Sequence, residues 1–177
     1  MKKFLLMLVF GAFALTMNAQ VFVGGEVGFW RNWDANRTTF TLAPEVGYTL
    51  DNHWALGVAL GYNHDYEAGV ALNGFKVNPY GRYTFVKLGP VSLFCDGGFG
   101  FGTYKIKGAG SSLNAWEVGV KPGFAIGLSK NLSLVTHVGF LGYRDADEGL
   151  RDFADFDTGF GFKFTGYDLS FGLYYSF

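Results

Sequence analysis

Charged residues are scarce in this chain, at 16%, where soluble domains carry roughly 25%. The two signs nearly cancel, with 14 Lys+Arg against 15 Asp+Glu over 177 residues. That leaves no cationic surplus for a phosphate backbone and excludes nucleic acid as a partner. A single cysteine, Cys95, excludes an intramolecular disulfide and a cysteine-built metal cluster. No glycine loop leads into a Lys-Ser/Thr helix start, so no phosphate cradle is encoded and no cofactor is expected. Beyond the first twenty residues no apolar run is long enough for a helix to span a bilayer. Disorder is excluded by 49% hydrophobic and 19% aromatic residues. What the chain has in excess is glycine, 27 residues, and phenylalanine, 20. Too aperiodic for collagen and too mixed with aromatics for a linker, this composition describes one glycine- and aromatic-rich β domain.

The first residues have the layout of an export signal. Lys2 and Lys3 precede an apolar run from Phe4 to Met17, and Asn18-Ala19-Gln20 follows. A basic start, a core shorter than a membrane span and a small residue at its end predict secretory cleavage after Ala19. Residues 1–19 are thus expected to be a signal peptide and 20–177 the mature domain.

From Val21 onward apolar residues alternate with small or polar ones, the pattern of a strand with two unlike faces. Eight runs are predicted: Val21–Arg31, Thr38–Thr49, Trp54–Asn63, Phe75–Val86, Val91–Thr103, Trp116–Leu128, Leu132–Tyr143 and Asp168–Phe177. Each exceeds the usual strand of 5–6 residues and approaches the length a tilted strand needs to cross a membrane. The connections after runs two, four and six are tight (Leu50–His53, Lys87–Pro90, Ser129–Asn131). The others are longer and more polar, the last running from Arg144 to about Tyr167. Short turns at one end and long loops at the other are the layout of an outer-membrane barrel.

Sorting the runs by face sharpens this. One face carries Val23, Val27, Leu42, Val46, Leu56, Val58, Leu60, Phe75, Phe99, Phe101, Val118, Val120, Leu134, Phe140, Phe171, Leu173 and their like, and no charge. The other carries most of the glycines and every mid-run charge: Glu26, Glu45, Lys76, Arg82, Asp96, Glu117 and Lys121. An eight-stranded barrel is only just wide enough inside to be filled by side chains. The bulky face exceeds that volume at protein packing density, whereas the glycine face fits it. An inside-out barrel follows, its uncharged face toward lipid, where Lys or Arg at the midplane would cost roughly 2–4 kcal/mol. It must close, because an unpaired edge in hydrocarbon leaves amides without partners. The fold class is therefore all-β, an eight-stranded antiparallel up-and-down transmembrane β-barrel.

The chain ends Ser170-Phe-Gly-Leu-Tyr-Tyr-Ser-Phe177. With the signal segment and the two unlike faces, this ending resembles the small outer-membrane β-barrel family of Gram-negative bacteria, which includes OmpA-type and OmpX-type barrels. The resemblance covers the whole mature chain. It implies that Ser170, Gly172, Tyr175 and Phe177 fill the defined places of the family's terminal assembly signal, read by the barrel-assembly machinery. Ala43-Pro-Glu-Val-Gly-Tyr48 and Leu56-Gly-Val-Ala-Leu-Gly-Tyr62 are also similar to hairpins of Bacteroidetes-type barrel proteins. The implied location is the cell outer membrane, with lipid and lipopolysaccharide as surroundings and a surface partner reached through the outer loops.

The inner charges are the best-defined constellation. Arg82 and Asp96 are placed opposite one another as a cross-strand ion pair. Glu26 and Glu45 are placed nearly level on the first hairpin, with Lys76 and Lys121 expected to join them and Glu117 and His137 nearby. Such a network either plugs the lumen or lines a narrow ion path. Pro44, Pro79 and Pro122 recur at one phase of runs two, four and six, and predict local bulges, since proline lacks a ladder donor. Enzymes exist on this scaffold, but the barrel-type lipid A deacylase pairs a His with a Ser two places on. Here His137 is followed by Gly139, His64 by Tyr66, and His53 sits in a short turn. A barrel protease would want ten strands. The acidic loop with Asp145, Asp147, Glu148, Asp152, Asp155 and Asp157 lacks the calcium-loop spacing and is expected to be solvated. Its Phe153, Phe156 and Phe160 are candidate contacts with a partner, or the start of an extended hairpin continuing through Phe162 and Phe164. Trp30, Trp33, Trp54 and Trp116 lie near run ends, where interfacial girdles belong. The expected function is structural or interactive at the cell surface, non-enzymatic, with at most a narrow conductance. The alternatives are a secreted soluble ligand-binding barrel and a lipid A-modifying enzyme.

Overall fold

A computed structural model describes residues 20–32, 37–67, 70–107, 112–154, 158–163 and 170–177. The expected signal segment, Trp33, and Asp155, Phe156, Asp157 and Phe164 lie outside them. The described residues form ten strand segments: β1 (Gln20–Asn32), β2 (Arg37–Thr49), β3 (Trp54–Glu67), β4 (Val70–Leu88), β5 (Val91–Ile106), β6 (Ser112–Gly127), β7 (Leu132–His137), β8 (Phe140–Ala146), β9 (Gly159–Lys163) and β10 (Ser170–Ser176). A short helix, α1 (Glu148–Ala154), lies between β8 and β9.

These segments make eight staves. β7 and β8 both pair with β6, one below and one above a break at Val138–Gly139. β9 pairs with β8, and β10 pairs with β7 and β1. The sheet runs β5-β4-β3-β2-β1-β10-β7-β6, and the β5–β6 pairing closes it. Every pairing is antiparallel, giving the closed eight-stranded barrel that the alternation predicts.

The faces sort as volume requires. Val23, Val27, Leu42, Val46, Trp54, Leu56, Val58, Leu60, Phe75, Phe85, Phe99, Phe101, Trp116, Val118, Phe171 and Leu173 all point outward and are exposed, Val27 at 68%. Glu45, Arg82, Asp96 and Glu117 point inward and are buried. This inversion of the soluble arrangement belongs to a barrel whose outer solvent is hydrocarbon.

Glycine on the inner face has a specific use. Phe22, Tyr80, Phe94, Tyr104 and Tyr174 each sit directly across the ladder from a glycine: Gly47, Gly57, Gly123, Gly74 and Gly24. A Cβ on Gly57 would lie 2.5 Å from the Tyr80 ring, and one on Gly47 2.1 Å from that of Phe22. The narrow cylinder thus accepts five large rings by laying each over a residue with no side chain.

Three expectations are corrected. Phe140, assigned to the outer face, is inside and 8% exposed. Between Val120↔Leu141 and Gly123↔His137, β7–β8 carries one more residue than β6, a bulge that reverses the phase above His137. The connections after runs three and five are shorter than expected. β3 and β4 pair up to Glu67↔Val70, and β5 and β6 up to Lys105↔Ser112. Polar residues such as Asn63, His64 and Asp65 hide that continuation, because alternation fades once strands rise past the apolar band. The prolines do not all make bulges. The β2–β3 register is unchanged across Pro44 and the β4–β5 register unchanged across Pro79, with pairing interrupted at each. Pro122 alone faces a bulge. All three keep a continuous ladder with the preceding stave, so the position without a donor is turned each time toward the following one. The other bulge, at Thr84/Val86, involves no proline.

Candidate functional site in the barrel lumen

Read from the short-turn end upward, the lumen is layered. Its floor is apolar: Phe22, Ala55, Phe94, Val135 and Tyr174 form one buried cluster, with Tyr80 and Ala125 against it. Its roof is a second cluster of Leu72, Tyr104, Ala115, Ala146 and Leu150, with Ile106 and Leu113 packed on it. Leu150 comes from α1 and is fully buried, at 0% exposure. Two sets of bonds hold it there. The Asp147 N–H donates to the Asn114 carbonyl at 2.9 Å, and the Asn114 N–H donates to Asp147 Oδ2 at 2.7 Å. Arg151 donates to the Ala146 carbonyl and to Asp145 Oδ1, each at 2.7 Å. The segment expected to be a solvated loop is in part a plug.

Between roof and floor lie two charged layers. In the lower one, Arg82 Nε and Nη2 donate to Asp96 Oδ1 and Oδ2, both at 2.7 Å. The guanidinium stacks on Phe94, 4.0 Å from the ring centre. The pairing follows from register, since Arg82 and Asp96 are direct cross-strand partners. His137 stands between two acids, Nε2 at 2.8 Å from Asp96 and Nδ1 at 3.3 Å from Glu26. It can donate from both nitrogens only as the imidazolium. Tyr80 donates its hydroxyl to Glu45 at 2.9 Å.

The upper layer centres on Glu117. Lys76 and Lys121 both reach its Oε1 at 2.8 Å, and Arg144 Nε lies 3.2 Å from Oε2. Arg144 also stacks on Phe140, 3.9 Å from the ring centre. A cavity of about 280 Å³ lies between the two layers, lined by Glu26, Glu45, Asn78, Asp96, Glu117, Lys121, His137, Phe140, Arg144 and Lys163, with glycines supplying the room.

The structure therefore gathers the predicted inner charges into one lumen but redistributes their partners. Lys76 and Lys121 do not join Glu26 and Glu45; both serve Glu117, while His137 and Tyr80 meet the two acids. Glu26 and Glu45 are offset by two positions, since Glu26 pairs with Ala43 and Glu45 with Gly24. Asn78 and Tyr80, in the inner phase of Lys76 and Arg82, are further members, and Arg144 and Phe140 are members that the alternation does not flag. The pattern puts Arg144 in a loop and Phe140 on the other face, and the single signal for both is Gly139, whose position in the bulge sets the new phase. Among the described residues no group of three or more His, Cys, Asp and Glu is set to hold a metal ion. At the chain's end, Gly172 points inward beside Tyr174, and Tyr175 and Phe177 point outward, edge to face with centroids 5.0 Å apart.

Among solved structures, the chain is similar to the N-terminal β-barrel domain of Pseudomonas aeruginosa OprF, at 13% identity and a TM-score of 0.52, over 90% of this chain and 98% of that one. It is also similar to a major outer membrane protein from Thermus thermophilus, at 15% identity and a TM-score of 0.51, over 90% and 100% of the two chains. No protein-family model matches the sequence, and no curated protein matches it either. At these identities the likeness establishes the fold, a small eight-stranded barrel of the outer-membrane type.

Proposed function

We propose that the protein is an integral outer-membrane barrel with a structural or cell-surface interaction role, and that its lumen is a plug with at most a narrow conductance. The observation that carries this is the charge-free outer band of exposed Val, Leu, Phe and Trp side chains, a surface stable in hydrocarbon and insoluble in water. A soluble ligand-binding barrel would hold that face inside. The apolar roof and floor support the plugged reading, since ions crossing the lumen would have to pass both clusters. Non-enzymatic character is supported by His137, whose two ring nitrogens both face carboxylates and leave no base for a nucleophile. On this reading the surroundings are outer-membrane lipid and lipopolysaccharide. The segment with Ser170, Gly172, Tyr175 and Phe177 would be presented to the barrel-assembly machinery, after cleavage of the leader behind Ala19. Any surface partner would be met at the end that carries α1. The test is migration of the outer-membrane fraction on a gel with and without boiling. The expected result is a compact band without heating that shifts on boiling. A protein found in the periplasm or medium, with one mobility in both lanes, would overturn the reading.

A further inference from the structure

The upper charged layer carries a surplus of cations, whereas the lower one sets three carboxylates, Glu26, Glu45 and Asp96, against Arg82 and His137. Three cations, Lys76, Lys121 and Arg144, converge on the single carboxylate of Glu117, a local surplus of two positive charges. Donors are in surplus too. Each ammonium carries three N–H groups and the guanidinium five, against the two oxygens of Glu117. Both ammonium groups use the same oxygen, and Arg144 Nε, buried, reaches Oε2 without hydrogen-bond geometry. In the lower layer each acid is met by a matching donor: Arg82 and His137 on Asp96, His137 on Glu26, Tyr80 on Glu45. Lys76, Lys121 and Arg144 remain 22%, 33% and 24% exposed, and Lys121 and Arg144 border the cavity of about 280 Å³. The lower-layer acids answer this surplus only across the cavity, so the cations remain costly in a low-dielectric channel, and an anion beside them lowers that cost.

We propose that the chamber under the α1 roof is a binding site for a small oxyanion of the phosphate or carboxylate class, held by Lys121 and Arg144, with Lys76 adding positive charge from its place on Glu117. Glu117 spaces the cations and opposes the ligand. Phe140 fixes the plane of the Arg144 guanidinium, presenting the fork that suits such oxyanions. The acids of the lower layer bar the ligand from passing onward, making this a site and not an anion path. The inference rests on lumen geometry and not on where the barrel resides.

The test is calorimetric titration of the folded protein in detergent with inorganic phosphate, checked by broadening of the phosphate ³¹P resonance. One saturable site is expected. Lys121→Gln should weaken it about tenfold, the scale of one charge-assisted hydrogen bond. Glu117→Gln should tighten it severalfold by removing the opposing charge. Lys87→Gln, in an exposed position at the end of β4, should leave it unchanged. Each variant is first shown to migrate as a folded barrel without boiling. Should Glu117→Gln fail to fold, Arg144→Gln replaces it and should weaken binding as Lys121→Gln does. The absence of saturable binding, equal losses in the Lys121 and Lys87 variants, or weakened binding in a folded Glu117→Gln protein would each overturn the site. A wild-type protein that migrates as a folded barrel yet binds no phosphate would overturn this site alone and leave the membrane reading standing.

Discussion

Arg82 shows what a single lumen residue does. Its two donors take both oxygens of Asp96, and its flat face covers Phe94, so it satisfies a buried charge and seals the apolar floor at once. Arg82→Met leaves the buried Asp96 short of its main partner, and should cost about 3–5 kcal/mol in urea unfolding from detergent or vesicles. The double variant Arg82→Met with Asp96→Leu should recover part of that loss, since it removes the unpaired carboxylate but leaves His137 Nε2 without its acceptor. A second residue lies outside the membrane-spanning part. Asp51 Oδ1 accepts the N–H groups of His53 at 2.7 Å and Trp54 at 2.9 Å, which holds its carboxyl below the usual carboxylate range. A lowered folded value means the turn is steadied above the unfolded value and loses that support as pH falls through the folded one. The His53 and Trp54 amide resonances should therefore titrate with a midpoint below that of a free aspartate, and Asp51→Asn should abolish the titration. The sequence brings Arg82 and Asp96 near one another around the Gly89-Pro90 turn, but their direct opposition depends on the bulge at Thr84/Val86, without which Arg82 would face Gly97. The partners of Lys76 and Lys121 are not legible in the sequence, since long side chains choose among several acids only once closure brings distant staves together.

At the scale of elements, strand count and facing are legible because side-chain direction in a strand has period two, and the mid-run charges and most glycines share one phase while most bulky aliphatic side chains share the other. What escapes are the places where that period breaks. The extra residue at Val138–Phe140 inverts the phase, so Phe140 and Arg144 enter the lumen unannounced. α1 is hidden because Leu150, its buried anchor among the described residues, stands amid charges. Leu150→Ser should release the roof at a cost of about 2–5 kcal/mol to its docking. Limited proteolysis should then cut the α1 segment much faster while the boiled and unboiled bands keep their separation. The cross-strand ring-on-glycine pairs give an opposite case, where the defect is global. Gly57→Val would drive a side chain into the Tyr80 ring, so that variant should fail to give the compact unboiled band. Tyr80→Ala with Gly57→Val should restore it in part.

For the whole molecule, the account depends on which solvent the outer face meets. Val58 sits mid-stave, flanked by Val46 and Pro79, and Val58→Lys should cost about 2–4 kcal/mol in vesicles if hydrocarbon lies there. In a barrel surrounded by water it would be close to neutral. The similarity to OprF and to the Thermus protein at 13% and 15% identity shows how little sequence the cylinder itself demands. Facing and volume specify it, while the particular lumen charges remain this chain's own. Those charges carry the candidate function, which is why the barrel can be read from pattern and the site only from coordinates. The most direct measurement uses the sole cysteine. Cys95 pairs with Tyr83 and Pro122 on outward-facing positions of β4 and β6. A nitroxide attached there, in protein reconstituted into vesicles, should collide frequently with dissolved oxygen and rarely with a water-soluble nickel chelate. Frequent collision with the chelate and little with oxygen would place this face in water and contradict the account.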